Sequence, residues 1–106
     1  MPKKPGLTHH DHLRLGQVLA GIRDQVLEAR VALLGAYPKT GPGARPAQEL
    51  LVALEALDRA REQMENRVFA EHPEHASTKV YAPLAEHRAQ LTVPALPGPR
   101  LRVVEP

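Results

Sequence analysis

Apolar residues recur near the start of the chain at alternating steps of four and three. They lie at Leu15, Leu19, Ile22, Val26, Ala29, Leu33 and Ala36. This spacing is a heptad seam, and it predicts a long helix over about residues 9–36. Thr8 suits the N-cap, with Asp11 three residues further on, and Pro38 disfavours helical geometry at Tyr37.

A second window without proline predicts a second helix over about residues 46–72. Pro46 suits the first turn of a helix, and Pro73 ends it. The seam of this helix holds Leu50, Leu54, Leu57, Met64 and Val68. Arg61 falls on the same seam, where it either fixes the helix register or the oligomeric state, or extends its guanidinium to solvent. Similar helix lengths and a short Pro/Gly connection favour an antiparallel hairpin.

Each predicted helix also carries apolar residues outside its seam. They are Val18, Leu27, Val31 and Leu34 on the first helix, and Ala47, Leu51 and Phe69 on the second. A lone hairpin would leave this surface in water, which is unusual for a monomer. The predicted fold class is therefore all-α: an antiparallel two-helix hairpin that pairs with a second copy into a four-helix bundle. The predicted interaction seam comprises Leu15, Leu19, Ile22, Val26, Leu33, Leu50, Leu54, Leu57, Met64 and Val68.

The remaining segments are an arm and a tail. Residues 1–7 are predicted to be a flexible N-terminal arm, followed by the hairpin domain over residues 8–83. Within that domain, residues 78–81 are predicted to pack on the helices as a short extended segment. Six of the eleven prolines lie in the last 34 residues, so residues 84–106 are predicted to be an extended or disordered tail.

Glycine stands twice inside the first predicted helix, at Gly16 and Gly21. Each glycine costs a helix about 1 kcal/mol relative to alanine. They either permit the close approach of another helix or are tolerated by a long, otherwise stable helix.

Composition and charge narrow the class of protein. A chain of 106 residues has room for one domain, and the absence of cysteine excludes disulfides and thiolate chemistry. The net charge of +2 is not gathered on one helix face, so a nucleic-acid partner is an alternative rather than the first expectation. The candidate anion or nucleic-acid contacts are Lys3, Lys4, Lys39 and Arg45. No apolar run approaches membrane-spanning length, so we expect a cytoplasmic protein without a membrane partner.

Histidine supplies the sharpest candidate chemistry. Two pairs with i, i+3 spacing stand at helix ends that the hairpin brings together: His9, His12, His72 and His75. Such imidazoles can share Zn²⁺ or Ni²⁺, with Asp11 or Glu71 adding an oxygen ligand. The other interpretation is solvated histidines at frayed helix ends. The second interpretation is favoured, and no cofactor is expected.

Three short segments, residues 35–38, 67–73 and 78–83, resemble small uncharacterised helical proteins encoded in high-GC actinobacterial genomes. The resemblance covers roughly residues 8–83 and implies a cytoplasmic helical hairpin with an accessory role. That group has no established activity, so the resemblance assigns no site residues.

No enzyme motif is present in the sequence. The loop after the first helix lacks the P-loop spacing, and neither helix carries the paired Glu-x-x-His motif of di-iron bundles. The leading hypothesis is a non-enzymatic, homodimeric interaction module that binds an unknown protein partner. The alternatives are a nucleic-acid or anion-binding accessory protein and a histidine-based metal-binding protein.

Overall fold

The computed structural model describes residues 4–91 and contains two long helices. Helix α1 spans His9–Ala36 and helix α2 spans Arg45–Glu71. Short 3-10 turns occur at Pro42–Ala44 and Ala85–His87. There is no β-strand in this range, which confirms the all-helical fold. Neither long helix has an apolar stretch of the length that a bilayer crossing requires.

The helix ends follow their capping residues. The Asp11 N–H donates to the Thr8 hydroxyl oxygen at 3.0 Å, so α1 begins where the N-cap predicts. Helix α2 begins one residue earlier than predicted, because the Pro42–Ala44 turn leads directly into it. It also ends one residue earlier, since His72 before Pro73 leaves helical geometry at φ −137° and ψ 60°.

Three polar contacts along the helices establish that α1 and α2 run antiparallel. As the residue number increases along α1, the number of the α2 residue that it contacts decreases. The pairs are His12 with Glu71, Arg23 with Asp58, and Arg30 with the Ala47 carbonyl. All ten residues of the predicted seam are buried or half-buried. Ala47 was predicted to lie on an outer flank, but it is buried because it faces α1 beside Arg30.

After α2 the chain turns back along the helices. This returning chain, residues 73–91, completes the hydrophobic core. Val80 and Tyr81 are buried in one cluster with Val68. The partly buried residues packed against this cluster are Leu13, Leu15, Leu19, Met64 and Ala76. Residues 78–81 therefore pack on the helices as predicted, but they form a turn rather than an extended segment.

The two glycines of α1 allow the returning chain to approach the helix closely. A Cβ atom on Gly16 would overlap the Val80 carbonyl oxygen, and one on Gly21 would overlap the Ala89 carbonyl oxygen. The Ala89 N–H donates to the Gln17 carbonyl at 3.0 Å. Both glycines therefore permit a close approach. The neighbour that approaches is the returning chain, at Val80 and Ala89, instead of a second helix.

Arg61 also binds the returning chain. Its Nε and Nη2 atoms donate to the Tyr81 carbonyl, the first at 2.9 Å, and its Nη1 donates to Asp58 at 3.4 Å. The guanidinium therefore binds the returning chain and does not extend freely to solvent. From its position on the seam, the guanidinium reaches the returning chain, whose path cannot be predicted from helix periodicity.

Residues 84–91, predicted to belong to an extended or disordered tail, include the 3-10 turn Ala85–His87 and lie against α1. Arg88 forms an ion pair with Asp24 at 3.0 Å, and the Ala89 N–H bonds the α1 backbone. At the other end, part of the predicted arm lies against α2, because the Leu7 carbonyl accepts a hydrogen bond from His72. Residues 1–3 and 92–106, the rest of the predicted arm and tail, lie outside the described residues.

Candidate functional site at the histidine end

The four predicted histidines converge where α1 begins and α2 ends. The ring centroids of His9 and His75 are 5.2 Å apart, those of His12 and His72 5.6 Å, and those of His9 and His72 6.2 Å. The antiparallel hairpin brings the two i, i+3 pairs together, as their spacing and the topology predict.

His12 is fully buried and joins two other segments of the chain. Its Nε2 lies 2.9 Å from Glu71 Oε1, and its Nδ1 bonds the hydroxyl of Tyr81. A carboxylate only accepts, so Nε2 carries a proton and donates to Glu71. In the neutral imidazole, Nδ1 then accepts from the Tyr81 hydroxyl. His12 of α1 is therefore hydrogen-bonded both to the returning chain and to α2.

Glu71 is held in its ionised form from both sides. His12 donates to Oε1, and Arg67 donates to Oε2 at 2.8 and 3.1 Å. These hydrogen bonds, His12 first, hold the pKa of Glu71 below its usual value. A lowered carboxylate pKa stabilises the fold above the pKa of the unfolded chain. That contribution is lost as the pH falls through the lower folded value.

Two outer histidines bind backbone carbonyls. His72 Nε2 donates to the Leu7 carbonyl at 2.7 Å, and His9 Nε2 donates to the His75 carbonyl at 3.0 Å. Because a carbonyl only accepts, both Nε2 atoms carry the proton, which leaves the lone pair on Nδ1 when the ring is neutral. Through these bonds the chain before α1 and the chain after α2 are joined.

Three potential metal ligands lie within 4.8 Å of one another: single atoms of His12, Glu71 and His72. His9 and His75, predicted with them, lie beside this cluster but are not members of it. Glu71 was foreseen as a candidate oxygen ligand, whereas the hydroxyl of Tyr81 was not. The sequence feature that could have drawn attention to Tyr81 is the rarity of aromatic residues, since the chain has two tyrosines and one phenylalanine.

The basic candidates are separated by the length of the hairpin. Lys4 is exposed beside the histidine end, while Lys39 and Arg45 are exposed near the loop end. Twenty-eight helical residues of α1, about 42 Å at 1.5 Å per residue, stand between them. Lys39 lines a loop-end pocket of about 230 Å³ together with Arg30 and Tyr37. Lys3 lies outside the described residues.

The fold and the site define an all-α hairpin whose two helices are packed against the returning chain. Comparison with known proteins finds no family model, no curated protein and no solved structure that matches this chain.

The buried phenol of Tyr81 predicts a loss of stability in alkali. Burial, followed by the negative charge of Glu71, raises the pKa of Tyr81 to about 12 from its ordinary value of 10.0. A raised phenol pKa stabilises the fold below the unfolded value, and this contribution disappears as the pH rises through the folded value. The free energy of unfolding should therefore fall between about pH 10 and pH 12.

Denaturant unfolding followed by circular dichroism across that pH range measures the fall. The Tyr81→Phe chain, which has no phenol at this position, should show a flatter pH dependence over the same range. Parallel profiles for the two chains would contradict the assignment.

Proposed function

We propose that this chain is a non-enzymatic interaction module that works as a homodimer, through the apolar face on the loop half of the hairpin. The observation that carries the proposal is a stripe on α1 formed by Leu27, Val31 and Leu34. Their spacing of i, i+4 and i+7 puts them on one helix face, and Val31 is 60% exposed.

The stripe continues onto the neighbouring helix. Arg30 bonds the Ala47 carbonyl, so the loop half of α1 lies beside the start of α2. Leu51, one turn beyond Ala47, is 41% exposed at this level of the hairpin. Leu34 lines one pocket with Ala47 and Gln48, so the α1 stripe lies beside the first turn of α2. Exposed aliphatic side chains at this level of both helices are the kind of surface that marks a protein interface.

The returning chain covers only part of α1, and the part left exposed favours a second copy of the chain as the partner. The returning chain covers α1 from Gly16 to Gly21 and then runs past Gln25 and Glu28. Within the described residues, nothing covers the stripe beyond that point. A pair of such faces related by a two-fold axis would bury like against like and produce a four-helix bundle.

The test is the mass of the untagged full chain in solution, measured by light scattering over a concentration series. We expect the mass of two chains. Val31→Glu should raise the dimer dissociation constant at least about tenfold, since it places a charge in the centre of the apolar face. Helix content should not change, because exposed positions tolerate substitution within about 0.5 kcal/mol.

Val52→Glu is the matched control. Val52 is 53% exposed and lies two residues, or about 200°, from the buried Leu54, so it occupies the outer side of α2. This substitution should leave the dimer intact. A monomeric full chain would refute the proposal, and a dimer only in a chain ending at Leu91 would assign the face to residues 92–106 instead.

A further inference from the structure

The histidine end contains a set of ligand atoms that the dimer proposal does not use. His12 lies in the first turns of α1, Glu71 is the last residue of α2, and His72 is its C-cap. One ligand atom from each lies within 4.8 Å of the other two. Two imidazoles and one carboxylate, from the start of α1 and the end of α2, therefore lie near enough to one another to bind a single ion.

We propose that His12, Glu71 and His72 bind a divalent transition cation, with Zn²⁺ as the best match. Two histidines and one glutamate are a ligand set that Zn²⁺ takes when it keeps a fourth position open for water or another ligand. Imidazole nitrogens favour Zn²⁺ and its transition-metal neighbours over Mg²⁺ or Ca²⁺, which prefer sites made of oxygen alone.

The His12–Glu71 contact gives the cation its position. Their facing atoms, 2.9 Å apart, now share one proton. When a cation binds between them at Nε2, the single proton of the neutral His12 ring moves to Nδ1. In a tetrahedral site with bonds near 2.0 to 2.2 Å, ligand atoms are about 3.4 Å apart. His12 and Glu71 must therefore separate slightly, and the half-exposed His72 must move inward.

Outer hydrogen bonds already orient all three ligands. The Tyr81 hydroxyl faces His12 Nδ1 and can accept from it when Nε2 binds the cation. Arg67 holds the Glu71 oxygen that does not face His12, and the Leu7 carbonyl fixes His72 Nε2 as the protonated nitrogen. His72 Nδ1 is then the nitrogen with a free lone pair. Such partners fix the tautomer and ring orientation of metal-binding histidines.

Thermal unfolding of the untagged full chain, with Zn²⁺ or with a chelator, tests the site. A cation that binds only the folded chain raises the melting temperature by mass action. At about 100 times the dissociation constant, we expect a rise of at least roughly 10 °C for a domain of this size. Co²⁺ should give the intense visible absorption of a four-coordinate site.

Single substitutions distinguish this site from surface histidines. His72→Ala removes a ligand at a half-buried position, and Glu71→Gln removes the anionic ligand at nearly constant shape; each should abolish the melting shift and the Co²⁺ spectrum. His75→Ala and His10→Ala alter exposed histidines outside the cluster and should retain both signals.

Two results would overturn the proposal. One is an identical wild-type melting temperature in Zn²⁺ and in chelator. The other is a shift that survives His72→Ala and Glu71→Gln but disappears in His75→Ala or His10→Ala. The dimer proposal is tested separately, since Val31→Glu lies on the loop half and should leave the zinc response unchanged.

Discussion

Tyr81→Ala should lower the free energy of unfolding by about 3 to 5 kcal/mol, the range for truncating a large buried aromatic side chain. Tyr81 is 1% exposed and packs with Val68 and Val80. Its removal also leaves His12 Nδ1 buried without its hydroxyl partner, which adds to the cost. A small domain is stable by only about 5 to 15 kcal/mol, so much of its stability would be lost.

Urea unfolding measured by circular dichroism gives the size of this effect. Tyr37→Ala is the matched control, because Tyr37 is 52% exposed just beyond α1. The control should change stability by no more than about 0.5 kcal/mol. Equal losses in the two chains would contradict the central position of Tyr81 in the core.

Gly16→Ala should lower stability by up to about 2 kcal/mol, although alanine is the better helix former. Removing a glycine from the helix gains about 1 kcal/mol. The new methyl group, however, meets the Val80 carbonyl oxygen, which is backbone and cannot rotate away. Overpacking of this kind costs about 1 to 3 kcal/mol, and here the whole turn that carries Tyr81 must shift.

Gly35→Ala makes the same chemical change at an exposed position near the end of α1 and should be neutral or slightly stabilising. Combining Gly16→Ala with Arg61→Leu tests the mechanism. Arg61 binds the Tyr81 carbonyl, so both changes release the same turn, and their costs should add to less than the sum. A stabilised Gly16→Ala chain would show that the returning segment does not pack here.

The helices were predictable because their signals are local. The heptad seam of α1, the Thr8 cap and the Pro38 stop all lie within or beside the segment that they define, and α1 has the predicted bounds. Helix α2 differs by one residue at each end. There, the outcome depended on a 3-10 turn and on the geometry of His72, which spacing alone does not specify.

The packing of the returning chain was not predictable in detail, because its contacts join distant residues. Gly16, Gly21 and Arg61 each looked anomalous within its own helix, and all three anomalies have one cause in the C-terminal segment. Periodicity describes how a helix faces one neighbour. It cannot indicate that a third, non-helical segment will occupy an adjacent face.

The histidine end was predictable to the level of topology. An i, i+3 pair at each of two helix ends, joined by an antiparallel hairpin, must converge. Which of the four imidazoles faces the carboxylate depends on side-chain direction: His12 is buried against α2, while His75 lies beyond the last turn. The Tyr81 hydroxyl comes from a segment whose path the sequence did not define.

The bond between His12 and Tyr81 joins residues 69 positions apart, and this separation determines the order in which the protein can be completed. A chain is synthesised from its N-terminus, so both long helices emerge before the tyrosine that closes their core. Until then, Leu15, Leu19 and Met64 lack the side chain that covers them. Nascent chains should therefore expose this apolar surface to chaperones until Tyr81 has been synthesised, and chains that end before Tyr81 should be degraded faster than the full chain.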